Sequence, residues 1–137
     1  MEAENRKVTV MEADTYISFY LKANRIHVYV DALRGIGSPK FVCFMIDESG
    51  EILLMKPYPR KDFYSHRVKS GVYSGDNRLE LNSKALCSII SRLYKWDNEY
   101  SYRVPGVIRP GQKIVMFHLP LAEEIEHDDF FPRPGRS

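Results

Sequence analysis

The sequence lacks the features that would place a protein in a membrane or a secretory pathway. Its apolar runs are far shorter than the roughly 18 residues that a membrane-spanning helix needs. Its first residues, MEAENRKV, do not show the basic and then apolar pattern of a secretory signal. We therefore expect a cytoplasmic protein with no membrane partner. The cysteines, Cys43 and Cys87, lie in apolar stretches, which is typical of buried free thiols rather than a disulfide framework.

Motifs of metal binding and catalysis are also absent from the sequence. The four histidines have no close Cys or His partner, so we expect no metal site. The chain contains no Gly-x-Ser-x-Gly, no phosphate-binding glycine loop and no HExxH. An enzyme would need a site assembled from residues far apart in sequence, so we favour a protein without enzymatic activity or cofactor.

An excess of charge of one sign is absent too, since the net charge is only +2, but the charges are unevenly distributed. Residues 1–14 carry −2 and residues 122–137 carry −3, so the part between them carries +7. A basic body fits an anionic partner, with the acidic ends as internal competitors, although the same arrangement could serve solubility alone.

The elements of one globular domain, which we place at residues 16–121, can be read from hydrophobic periodicity. Strict alternation predicts a strand in IHVYV, and FVCFMI and EILLMKP around DESG predict a β-hairpin. KALCSIISRLYKW predicts an amphipathic helix capped by Asn82 or Ser83, with a buried face. That face would consist of Leu86, Ile89, Ile90 and Leu93.

The segments around these elements complete the predicted organisation. SYRVPGVIRPGQKIVMFHL predicts a second hairpin, with Pro-Gly breaks at 105–106 and 110–111. The connection over 58–76 should be rich in loops and contain one short strand. An acidic arm over 1–15 precedes the domain, and an acidic disordered tail over 122–137 follows it.

Two similar phrases indicate an internal repeat. NRIHVYVDAL at 24–33 matches NRLELNSKAL at 77–86, which is an offset of 53 residues. The repeat predicts an α+β, β-rich fold of two strand-helix-hairpin halves interlocked around a pseudo-twofold axis, with half 1 over about 24–57 and half 2 over about 77–120. SHRVKSG and SYRVPGV match instead at an offset of 36, which would make the first hairpin an insertion.

This layout resembles a known DNA-binding fold. VYVDALRGIGSPKFVCFMIDESGEILLMKP, residues 28–57, is similar to the swapped-hairpin AbrB-like pattern of strand, Leu-Arg in a short helix, Gly-Ile turn, strand, acidic turn and strand. The tandem arrangement resembles that of MraZ-like proteins, although their Asp-x-x-Gly-Arg signature is absent here and the second helix is longer. The chain also looks like short proteins of Gram-positive gut bacteria and their mobile elements. The resemblance implies a small DNA-binding protein, such as a transcriptional regulator.

Binding to double-stranded DNA requires several cations on one surface to replace condensed counterions. The first candidates are Arg25 and Arg78, which hold matching positions in the two repeats, followed by Arg34 and Lys84 nearby. Arg67 and Arg103 recur in the two S-[HY]-R-V phrases and complete the set. Each of these residues could instead be a solvated or structural cation. The chain could act as a monomer or as a homodimer.

Two other modes of binding have sequence support. In RKDFYSHRVKSGVY, bases alternate with aromatic residues, a pattern that suits unpaired nucleotides. The plainer interpretation, which we favour, is that Phe63 and the tyrosines fill the rim of the core. The tail AEEIEHDDFF, with Phe130 and Phe131, would suit a protein-interaction or inhibitor module that acts on a host protein, or it could simply keep the chain soluble.

Overall fold

Within the part of the chain that the structure describes, nine strands form a single antiparallel sheet, and the predicted β-rich character is confirmed. The computed structural model describes residues 12–125. The strands are β1 Thr15–Tyr20, β2 Arg25–Tyr29, β3 Phe41–Ile46, β4 Ile52–Pro57, β5 His66–Arg67, β6 Arg78–Asn82, β7 Ser101–Arg109, β8 Ile114–His118 and β9 Glu123–Ile125. The helices are α1 Val30–Gly35 and α2 Lys84–Tyr94, with 3₁₀ turns at Leu21–Ala23 and Leu119–Leu121 and a π-helical turn at Val72–Asp76.

The order of the strands shows how the sheet closes. Neighbours follow the order β5, β3, β4, β8, β7, β1, β2, β6, and the sheet curls into a nearly closed barrel. β5 and β6 are the two ends of this order, so the open side lies between them. β9 pairs with β7. Since β1 pairs with β7, β2 with β6 and β4 with β8, distant parts of the chain enclose one core.

The core fills the interior of the barrel because inward and outward side chains alternate along each strand. In β1, Ile17 and Phe19 point inward and are opposite Val104 and Tyr102 of β7. Phe19 and Phe117 are the largest fully buried side chains, and each such residue stabilises the fold by roughly 1.5–3 kcal/mol. Neither α-helix between residues 12 and 125 has the length and hydrophobicity to cross a bilayer.

Both predicted hairpins are confirmed, with one correction. β3 pairs with β4 and β7 pairs with β8, and Gly50 in the first turn has a φ of 78°. Pro105 and Gly106, expected to break the chain, lie inside β7 instead. Gly106 is needed there because a Cβ at this position would lie 2.5 Å from the ring of Phe117.

The second helix begins as predicted but buries a narrower face. Ser83 is the cap, and its hydroxyl accepts a hydrogen bond from the Leu86 amide at 3.2 Å. Ile90 is fully buried, whereas Ile89 and Leu93 are 47% and 51% exposed, so their predicted burial is wrong. The helix buries Cys87, Ile90 and Ser91 against the barrel, and the half-buried Leu86 and Tyr94 also pack against the core.

The edges of the domain also differ from the prediction. Asp14, placed in the arm, donates its amide to the Gly106 carbonyl at 2.9 Å and accepts the Ile108 amide at 2.8 Å. Three residues placed in the disordered tail, Glu123–Ile125, form β9 because the edge of β7 offers them hydrogen-bonding groups. The rest of the tail, including Phe130 and Phe131, lies outside the described residues.

Both cysteines are buried free thiols, as expected.

Candidate nucleic-acid interface

Cationic side chains gather on the outer surface of β2 and β6. Ile26 and Val28 of β2 point into the core, so the residues between and beside them point outward. Arg25 is paired with Asn82 and Arg78 with Tyr29, one at each end of the ladder. We call this surface the basic face, defined by Arg25, His27, Arg78 and Glu80.

Glu80 is the shared anionic partner of the basic face. Its carboxylate lies 3.2 Å from the Arg78 guanidinium, 3.9 Å from that of Arg25 and 3.4 Å from His27 Nε2. Both arginine side chains remain more than one third exposed, so they can reach an external anion. Glu80 pairs with both guanidinium groups on this surface and neutralises part of their charge.

His27 does not add a positive charge to this surface at neutral pH. The ring is 4% exposed and packs against Tyr20, with ring centroids 4.8 Å apart. Burial, together with the nearby Arg78, lowers the pKa of His27 to about 4. The charge of the basic face at pH 7 therefore comes from its two arginines and from Glu80.

A serine, a histidine and a glutamate also form a row across three strands of this face. Ser18 of β1 is directly opposite His27, and His27 is directly opposite Glu80. The order matches that of a nucleophile, a base and an orienting carboxylate. Ser18 and His27 are 2% and 4% exposed, however, so a substrate has no access to the hydroxyl.

A cleft of about 550 Å³ adjoins the basic face. We call it the gap cleft, because its walls come from β5, from β6 and from the segment between them, where the barrel is open. Its lining residues are Arg67, Lys69, Val72, Asp76, Arg78, Leu79 and Glu80. Three cations and two carboxylates therefore meet in a concave site, and Arg78 and Glu80 belong to both surfaces.

The connection between β5 and β6 forms one wall of the gap cleft. Residues 68–77 include the π-helical turn, which the structure ties to α1 and to the start of β3. Arg34 of α1 donates its Nη2 hydrogen to the Tyr73 carbonyl at 2.8 Å, and the Tyr73 hydroxyl donates to the Pro39 carbonyl at 2.6 Å. The guanidinium of Arg34, predicted as a DNA contact, therefore also holds the wall of the cleft.

The remaining predicted contact residues lie elsewhere. Lys84 lines a second cleft of about 410 Å³ between α2 and the β1–β2 connection. Arg103 is held by Glu123 at 3.6 Å and lies 5.0 Å from the centre of the Tyr16 ring. Of the six predicted cations, the structure thus brings together Arg25, Arg67 and Arg78.

Two functional candidates in this region were missed from the sequence. Lys69 lines the gap cleft, and nothing but its charge marked it beforehand. Glu80 occupies the position of the second repeat phrase that matches His27 of the first, so the repeat could have identified it. Within residues 12–125 no group of three or more potential metal ligands comes together.

The aromatic residues of the long connection behave only in part as predicted. Phe63 and Tyr64 are 91% and 69% exposed, so the expectation that they fill the rim of the core is wrong. Tyr73 packs against the core, as predicted, and the ring of His66 lies 5.5 Å from that of Phe44.

Comparison with protein-family models, with curated proteins and with solved structures finds no match to this chain.

Proposed function

We propose that the protein is a small, non-enzymatic DNA-binding protein that contacts double-stranded DNA through the basic face. The observation that carries the proposal is the placement of Arg25 and Arg78, which lie on one outer surface around a shared carboxylate. Arg67 and Lys69 extend this surface into the gap cleft. Several cations on one surface are what a duplex needs for counterion release.

We also propose that the two halves are related by a pseudo-twofold axis, as in the tandem AbrB-like arrangement. Such an axis through an antiparallel ladder passes where equivalent residues face each other. His27 and Glu80 are equivalent at the offset of 53 residues, and they are directly paired. Arg25 and Arg78 are equivalent at the same offset, so the axis would present them to the two strands of a duplex in related positions.

The opposite side of the barrel supports the same axis. Leu54 of β4 is directly paired with Met116 of β8, which is an offset of 62 residues. Met45 is paired with Leu54 in the first hairpin, and the residues 62 positions later, Val107 and Met116, are paired in the second. The same offset therefore relates the β3–β4 hairpin to the β7–β8 hairpin. The offset grows by nine residues between the two sides, and five of them come from the greater length of α2, which has 11 residues where α1 has 6. The alternative offset of 36 would equate β5, of 2 residues, with β7, of 9.

Paired variants test the DNA-binding proposal. We expect R25Q/R78Q to weaken binding to a labelled duplex on the order of tenfold or more, since two charge-assisted contacts are lost. The measurement is fluorescence anisotropy at low salt. The matched control R92Q/R109Q removes the same charge from exposed positions outside the basic face and should bind nearly as the natural protein does. Equal losses in both variants would show that total charge alone matters, and the proposal would be rejected.

A further inference from the structure

The loop before β5 presents two aromatic rings to solvent. Residues 62–65, which we call the aromatic turn, carry Phe63 and Tyr64 at its two central positions, with exposures of 91% and 69%. Their ring centroids are 5.2 Å apart and the ring planes are nearly perpendicular, at 87°. Because Phe63 is so exposed, Tyr64 covers little of its ring and a planar group can stack on it.

The backbone of the aromatic turn is held by hydrogen bonds at both of its ends. The Tyr64 amide donates to the Asp62 carboxylate at 2.7 Å, and the Asp62 amide donates to the Ser65 hydroxyl at 2.9 Å. The Ser65 amide closes the turn on the Asp62 carbonyl at 3.2 Å. The backbone that carries the two rings is therefore already ordered. Binding of a ligand would lose little conformational entropy of this backbone.

Cations lie along the chain on both sides of these rings. Arg60 and Lys61 precede the turn, and Arg67 and Lys69 follow it. The latter two line the gap cleft. Arg67 is four positions after Phe63 in the sequence, so their Cα atoms are at most about 14 Å apart. An extended anionic chain could therefore contact the aromatic turn and the gap cleft at the same time.

We infer that the aromatic turn and the gap cleft together form a binding site for single-stranded nucleic acid. An unpaired base stacks on Phe63, and the phosphates that follow it lie against Arg67 and Lys69. A duplex does not offer this contact because its bases stack on one another, whereas exposed rings beside a basic groove are the usual platform for single strands. The inference rests on the proposed function, because it uses the same cationic region and assigns to it a second class of substrate.

The test compares single-stranded probes with a duplex. Labelled oligothymidylate and oligouridylate are titrated with the full chain by fluorescence anisotropy, which separates DNA from RNA as the source of the strand. Loss of the stacking ring in F63A should weaken binding of the preferred strand roughly 5- to 150-fold, the range that corresponds to 1–3 kcal/mol per stacked base. The matched control Y100A removes an exposed aromatic ring elsewhere and should bind as the natural protein does.

Two further variants separate stacking from a change in folding. F63W restores a flat ring, so it should keep the affinity that F63A loses, and its added fluorescence should be quenched when the strand binds. R67Q/K69Q should keep the stacking contact. Because two phosphate contacts are lost, the magnitude of the slope of log affinity against log salt should fall by about 1.4, at roughly 0.7 per phosphate contact on a single strand.

The outcomes for the strand and for the duplex are independent. Failure of both single-stranded probes to bind, or equal affinity of F63A and the natural protein, overturns this inference even if the duplex binds. Binding that F63A weakens and F63W restores supports the inference even if the duplex proves not to bind, which would reject the proposed function alone. If F63A leaves nucleic-acid binding intact, the exposed rings serve another contact, such as a protein partner.

Discussion

Glu80 controls the electrostatics of the basic face at the scale of a single residue. It is the common partner of two guanidinium groups and of His27, at distances between 3.2 and 3.9 Å. While it is ionised, it competes with a phosphate for Arg25 and Arg78. The affinity of this surface for an anion therefore depends on one carboxylate that the sequence places at the centre of its second repeat phrase.

Removing this carboxylate should strengthen DNA binding. In E80Q the two arginines keep their positions on the strands but lose their competitor, so we expect several-fold tighter binding to a duplex at low salt. Anisotropy titrations of E80Q beside R25Q/R78Q measure changes of opposite sign. Weaker binding by E80Q would mean that Glu80 is needed to hold the arginines in place rather than competing for them.

His27 should make the stability of the fold dependent on pH. The unfolded chain protonates this histidine near its ordinary pKa of 6.5, whereas burial lowers the pKa of folded His27 to about 4. Between these values acid protonates the unfolded state preferentially, so stability falls as the pH drops from 6.5 to 4, by up to roughly 3 kcal/mol. Burial lowers the pKa values of His66 and His118 as well, which adds to the loss in the same direction.

Urea denaturation between pH 7 and pH 4 measures this dependence. The variant H27Q removes the titrating group, so its free energy of unfolding should change less over this range than that of the natural protein. The part due to His66 and His118 should remain. An identical pH dependence in the two proteins would contradict the assignment to His27.

At the scale of elements, the close approach of β7 and β8 depends on Gly106. A Cβ at this position would lie 2.5 Å from Cδ1 and 2.7 Å from Cε1 of Phe117, a fully buried ring of the core. We expect G106A to lower the free energy of unfolding by about 1–3 kcal/mol, the usual effect of overpacking. The control G111A changes a glycine with open space around it and no positive φ, so urea denaturation should show a small effect. Equal stabilities of the two variants would contradict the packing argument.

The position of an element could be predicted where residues close together in the sequence determine it. Apolar runs on both sides of turn residues predict both hairpins, and Ser83 is one of the two residues predicted to cap α2. β1 is absent from the predicted elements because TYISFY, although rich in residues that favour strands, does not alternate strictly. Pro105 and Gly106 predict a break because their local preference is for turns, whereas their place inside β7 depends on partner strands far away in sequence. The exposure of Ile89 and Leu93 likewise depends on how α2 meets the barrel.

At the scale of the whole molecule, the site residues that could be predicted are those at matching positions of the sequence repeats. Arg25 and Arg78 were found because they hold equivalent positions, and the register of β2 with β6 places them on one surface. The gap cleft lies where β5 and β6, the two ends of the strand order, are not paired with each other. Neither local periodicity nor composition contains that information.

The central claim is that the basic face meets the phosphates of a duplex, and the salt dependence of binding tests it most directly. For the natural protein we expect log affinity to fall linearly with log salt, with a slope of about −0.9 for each phosphate contacted. R25Q/R78Q should reduce the magnitude of that slope by about 1.8, whereas R92Q/R109Q should leave it nearly unchanged. No binding by the natural protein at low salt, or the same slope in R25Q/R78Q as in the natural protein, would contradict the account.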